Sequence, residues 1–114
     1  MNKDDLIRVR HMLDAAREAL SFAKNKKRKD LDSDRMLALS LVKEIEIVGE
    51  AAANITKETK DKYLEIPWPN IVAMRNRLIH AYFDIDYDRV WDTVSDDLPN
   101  LISTLVRIIP EEKP

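Results

Sequence analysis

SDRMLALSLVKEIEIVGEAAANITK, residues Ser33–Lys57, is the stretch on which the fold turns. Leu37, Leu41, Ile45, Val48, Ala52 and Ile55 recur at spacings of three and four, which puts them on one face of a helix. The pattern predicts a helix over Ser33–Lys57, capped by Asp32 or Ser33. Gly49 falls in its middle, where a glycine costs about 1 kcal/mol relative to alanine. A packing role accounts for it: Gly49 and Ala53 lie four residues apart, so another backbone can approach closely there. The segment carrying Arg75 to His80 is the expected neighbour.

The chain on either side has the same character. Leu6, Val9, Leu13, Ala16, Leu20 and Ala23 form one apolar stripe, predicting a helix over Asn2–Lys24 with Asn2 as its cap. Asp4 and Asp5 then sit in its first turn, at the positive end of the helix dipole. Thr59 to Ile66 reads as a short helical turn and a connector. Pro67-Trp68-Pro69 breaks the chain, and Pro69 suits the first turn of a new helix. That helix runs from Pro69 to His80 or Tyr82. Ile71, Val72, Met74 or Arg75, and Leu78 face inward, and Trp68 is a core anchor. Phe83–Tyr87 is a connector, with Asp86 capping a last helix. Val90, Trp91, Val94, Leu98, Leu101, Ile102, Leu105 and Ile108 carry the apolar face of that helix, and Pro99 interrupts it. Pro110–Pro114 is a tail. The expected fold is all-α, an antiparallel bundle of four main helices with one short extra helical turn.

Composition agrees and excludes several classes. The chain has 114 residues, fitting a single domain over 1–114, and one Gly. No run of about 18 apolar residues exists to span a membrane. Met1–Asp5 is too charged for a signal peptide. With no Cys there is neither a disulfide frame nor thiolate chemistry. These features point to the cytoplasm. Two separated histidines and no cluster at ligand spacing give no support to a metal site, and no glycine-rich loop exists to cradle a nucleotide. No cofactor is expected. The net charge of −2 is not the bulk footprint of a nucleic-acid binder, so any RNA contact must rest on a local patch. Lys24-Asn25-Lys26-Lys27-Arg28-Lys29 is one such run. It reads first as a solvated connector and second as a patch that steers a polyanion, and both can hold at once.

The chemistry concentrates in Arg75-Asn76-Arg77-Leu78-Ile79-His80-Ala81-Tyr82. Metal-free RNA cleavage needs a base for the ribose 2′-OH, a donor for the charge that builds on the phosphoryl oxygens, and an acid for the departing 5′-oxygen. Histidine titrates near neutrality and suits the proton transfers. Arginine is always charged, and its planar fork matches two phosphate oxygens. Arg75 and His80 are therefore the candidate catalytic residues. On an ideal helix they are about 140° apart. Asn76 and His80 share a face, making Asn76 a supporting polar group. Tyr82 lies beyond, where a loosened helix would bring its hydroxyl near the cleft. Glu46 and Glu50 lie near Gly49. One of them can be a second partner to Arg75, or both can be a solvated flank. His11 reads as a boundary residue without a role.

Arg75, four intervening residues and His80 match the motif of HEPN-domain ribonucleases. Arg75-Asn76 followed by His80 and Tyr82 resembles the narrower HepT toxin subfamily. Gly49-Glu50-Ala51-Ala52, Ile66-Pro67-Trp68 and Asp97-Leu98-Pro99 resemble it in the same order. The resemblance implies a HEPN-like bundle, a homodimer with both motifs facing one cleft, and a metal-independent ribonuclease toxin acting on an RNA substrate. It implies a minimal nucleotidyltransferase antitoxin as partner, which attaches AMP to the tyrosine at the position of Tyr82. Two further readings stand beside it. One is a non-catalytic module that binds a nucleotide or docks the partner enzyme. The other is a plain helical interaction protein.

Overall fold

A computed structural model describes residues 1–80 and 84–110, without the side chains of Ile79 and His80. Its elements are α1 (Lys3–Ala23), α2 (Asp30–Ser33), α3 (Arg35–Ala53), α4 (Lys57–Lys62), α5 (Trp68–His80), α6 (Tyr87–Asp92), a π-helical turn (Thr93–Asp97) and α7 (Leu98–Ile108). The fold is all-α, a bundle whose four long rods are α1, α3, α5 and the continuous run from α6 to α7. Among the described residues, no helix is long and apolar enough to cross a membrane.

The long α1 begins as expected. The Asn2 side chain accepts a hydrogen bond from the Asp5 amide at 2.7 Å. This helix packs against both α3 and α7. Its buried arc is accordingly wider than one stripe, taking in Met12, Ala15 and Ala19 besides Val9, Leu13 and Ala16. Asp5, at the start of α1, meets Thr56 just past α3, and Arg28, past α1, meets Asp88 at the start of α6. Those contacts make α1 antiparallel to both neighbours.

Two boundaries differ from the sequence expectation. The second long helix starts at Arg35, because Asp34 rather than Asp32 or Ser33 accepts the capping bond from the Leu37 amide, at 3.0 Å. It stops at Ala53 instead of Lys57. Asn54 ends it, and the Thr56 hydroxyl caps a separate helix, α4. The expected stripe is nevertheless buried throughout, Ile55 included. The basic run is a connector, but Arg28 is engaged within it. Its guanidinium pairs with Asp32 and Asp88 and lies 5.9 Å from the Tyr87 ring centre. That cation is thereby removed from any steering patch, and Asp30–Ser33 forms an unexpected short helix.

Trp68 is buried as expected, and its indole N–H donates to the Tyr63 carbonyl at 3.1 Å. The last rod takes up Pro99 without breaking. A proline ring clashes with the carbonyl four residues earlier in an α-helix. The π turn over Thr93–Asp97 widens the helix just before it, and the Leu98 amide bonds to the Thr93 carbonyl. Val90, Val94, Leu98, Leu101, Leu105 and Ile108 are all buried, and Trp91 packs half-buried against the core.

Candidate active site

Arg75 owes its position to Gly49. A Cβ built on Gly49 would lie 2.2 Å from Arg75 Cβ, 2.6 Å from its Cγ and 3.3 Å from the Ile71 carbonyl oxygen. The missing side chain lets α5 cross α3 at van der Waals distance, as the sequence predicted. It also lays the aliphatic stem of Arg75 flat along α3. The Arg75 side chain is only 18% exposed, and its Nη1 donates to Glu50 Oε2 at 2.7 Å. Glu50 is thus the carboxylate beside Arg75, while Glu46 lies 4.0 Å from Lys43. Arg75 Nε is buried with no acceptor among the described residues. One edge of the fork is filled by an internal anion and one donor stands open.

Arg75 opens into a groove of about 430 Å³ above α3. Arg8 and His11 of α1 form one wall. Lys43, Glu46, Ile47, Glu50 and Ala51 of α3, with Asn54 after it, make the floor, and Arg75 stands on the α5 side. A larger groove of about 700 Å³ separates α5 from the last rod. It is lined by Arg77, not Arg75, and by Arg89, Asp92 and Asp97 above an apolar floor that includes Ile45 and Val48. Burial, then the neighbouring charges of Asp96 and Asp92, push the Asp97 carboxyl above its ordinary range, with Arg89 opposing them. The bigger cavity is therefore the more acidic one, and the motif arginine does not face it.

The other motif residues divide. Asn76 is exposed and lines neither groove. The backbone of α5 stays helical through His80, so Asn76 and His80 hold register positions one turn apart. Tyr82 lies outside the described residues. His11, given no role from sequence, shares the groove with Arg75. Its only local signal was its place three residues after Arg8 on one helix face. The packing of α1 and α5 on either side of α3 is what brings it near the motif.

The family model described as Ribonuclease HepT-like matches residues 12–108. The chain is 32% identical over 105 residues to "Putative RNase TTE0752" of Caldanaerobacter subterraneus, covering 92% of this chain and 94% of that one. It is 40% identical over 72 residues to "Probable ribonuclease HepT" of Thermococcus cleftensis, covering 63% of this chain and 66% of that one. A third relative, "Gamma-glutamylcyclotransferase and putative RNase MJ0434" of Methanocaldococcus jannaschii, is 33% identical over 111 residues, 97% of this chain and 50% of that one. No solved structure matches the chain. The chain belongs to the ribonuclease HepT-like family.

Proposed function

We propose that this chain is the toxin of a type VII toxin–antitoxin pair, a cytoplasmic endoribonuclease that works as a homodimer without a metal. The observation that carries the reading is Arg75, held by Gly49 at a groove, with its fork half filled by Glu50 and its Nε donor open. A phosphate can displace the Glu50 carboxylate, which is 63% exposed, and take its place on the fork. In this mechanism His80 of one protomer removes the proton from a ribose 2′-OH. That oxygen attacks the adjacent phosphorus, and Arg75 neutralises the charge growing on the phosphoryl oxygens. The bond to the 5′-oxygen breaks as that oxygen takes a proton from the second His80 of the dimer. The products are a 2′,3′-cyclic phosphate end and a 5′-hydroxyl end. Asn76, one turn before His80, orients the imidazole or a substrate oxygen.

Silencing follows from charge and bulk. AMP attached to Tyr82 by a nucleotidyltransferase antitoxin adds phosphate next to Arg75 and His80 and competes with RNA for the same donors. The decisive experiment expresses the chain with and without its genomic neighbour. Arg75→Ala and His80→Ala should each abolish RNA cleavage and growth arrest while leaving the dimer intact. Mixing the two inactive variants should not restore cleavage, because a hybrid dimer keeps a single His80. Incubation with the neighbour and ATP should add AMP mass to the wild type and none to Tyr82→Phe. If unmodified protein leaves RNA intact across several substrates, the binding-module reading replaces the enzyme.

A further inference from the structure

We propose that the groove above α3 is a track for the backbone of single-stranded RNA. In this role Arg8, His11 and Lys43 act as substrate-binding residues, and Glu50 acts as an internal stand-in for phosphate. The inference rests on the ribonuclease reading and deepens it by saying where the strand lies.

Access sets the direction. Arg75 lines the groove between α1 and α5 and does not line the larger groove on the other side of α5. A phosphate that reaches the Arg75 fork therefore enters over α3, and the flanking nucleotides must run along that floor. The local charge agrees with this path. Among the described lining residues, Arg8, Lys43 and Arg75 supply three cations against the two carboxylates Glu46 and Glu50, within a chain whose net charge is −2. Asp5, buried and 3.9 Å from Arg8, offsets part of that positive charge. His11, exposed on the wall, adds an imidazole able to hydrogen-bond a phosphate or a 2′-OH.

Chemistry of the lining fixes the mode of recognition. Among the described residues no Phe, Tyr or Trp lines this groove, and His11 is the one ring there, so the groove offers bases no stacking platform of successive rings. The contacts are to phosphate and sugar, which position a strand and carry little sequence information. Glu50 explains how the fork stays set without substrate. Its carboxylate presents oxygen to Arg75 as a phosphate would, and its exposure lets it swing aside.

The test is binding of a fluorescent 2′-O-methyl oligoribonucleotide, which the attack on phosphorus cannot cleave, followed by anisotropy across a salt series. The triple variant Arg8→Ala/His11→Ala/Lys43→Ala should bind at least about tenfold more weakly. Its salt slope should be shallower by roughly 0.7 for each phosphate that is no longer neutralised. Arg77→Ala, in the other groove, should change affinity less than about twofold on the same arithmetic. Glu50→Gln should tighten binding, because the competing anion is gone. Should the triple variant fail to fold, His11→Gln and Lys43→Gln, both surface changes, are read singly and should each weaken binding. Wild-type affinity in the groove variants, or an equal loss in Arg77→Ala, overturns the track, and weaker binding by Glu50→Gln overturns the stand-in role. If wild type cleaves RNA while the groove variants bind normally, the track is wrong and the ribonuclease reading stands. If wild type neither binds nor cleaves RNA, the ribonuclease reading fails and the track with it.

Discussion

Replacing Gly49 by alanine tests how the fold holds the site. By helix propensity alone Gly49→Ala should stabilise α3 by about 1 kcal/mol. The structure predicts the opposite sign. The new methyl would stand 2.2 Å from Arg75 Cβ and 2.6 Å from Cγ, inside the 3.4 Å where ordinary contact begins. Arg75 Cβ moves only with its backbone, so α5 itself has to retreat from α3. Overpacking of this kind costs about 1–3 kcal/mol, and a clash with a backbone-fixed atom belongs at the upper end. Subtracting the propensity gain leaves a net loss of about 2 kcal/mol. For a chain of this length that is a fall of roughly 6–12 °C in Tm, read by calorimetry or circular dichroism. Cleavage, assayed well below the melting range, should fall further than stability does. A misplacement of about 1 Å can cost on the order of a hundredfold in rate, and the retreating helix carries Arg75. A Gly49→Ala protein that melts at or above wild type and cleaves RNA normally would refute the idea that close helix packing positions the fork.

Two more predictions concern buried carboxylates. Asp5 is fully buried and accepts hydrogen bonds from the Thr56 amide, the Thr56 hydroxyl and the Thr59 hydroxyl. Asp5→Ala should cost about 3 kcal/mol in urea denaturation, because it removes charged hydrogen bonds and strands buried donors. Burial pushes the Asp5 carboxyl up, but the threonine hydrogen bonds and Arg8 outweigh it, and the pKa ends below the ordinary value. Its stabilising contribution is therefore present above the unfolded carboxyl pKa and is lost as pH falls through the lower folded value. Wild type should melt progressively earlier in that acid window, and Asp5→Asn should flatten the dependence. Glu44 behaves oppositely. It is 4% exposed, and burial, then the hydrogen bond and charge of Glu18, push it up from 4.5 to about 7. The folded state holds the proton more tightly, so stability from this group is full below pH 4.5 and declines as pH rises to about 7. Each unit in that window costs at most about 1.4 kcal/mol. Glu44→Gln should lose this slope and melt above wild type at pH 8. Parallel Tm–pH curves for the two proteins would sink the claim.

The bundle was legible because its apolar spacings are local and regular. Every stripe residue named for α3 and for the last rod is buried or packed against the core. Gly49 was legible because a mid-helix glycine carries a cost that only a close neighbour explains. Helix ends were less so. Asp32, Ser33 and Asp34 are all competent caps, and only the Leu37 amide decides for Asp34. Thr56 reads as part of a helix until its hydroxyl is seen capping the next one. The π turn before Pro99 was visible only as an interruption. Of the site, Arg75 could be named from its motif, while Glu50 stood only beside Glu46 as one of two carboxylates near Gly49 until the structure paired it with Arg75. His11 and Arg8 could not be named, since they meet Arg75 across the width of α3, and no sequence period reports a distance between non-adjacent rods.

The same geometry bears on the proposed dimer. Because α5 is regular through His80, the ideal separation of about 140° between the backbone positions of Arg75 and His80 applies. Gly49 fixes the Arg75 stem against α3, and the groove fixes the direction from which a phosphate arrives. A histidine near the opposite side of α5 is poorly placed to serve that same phosphate. Pairing two copies removes this difficulty, since the imidazole of one protomer can then face the fork of the other. A single motif also supplies one histidine, whereas the reaction takes one proton off and puts one on. Geometry and proton count thus each support the proposed shared site. A hybrid dimer of wild type with His80→Ala is its sharpest test: it keeps one imidazole where the shared site needs two and should lose cleavage, whereas independent sites would keep the activity of the wild-type protomer.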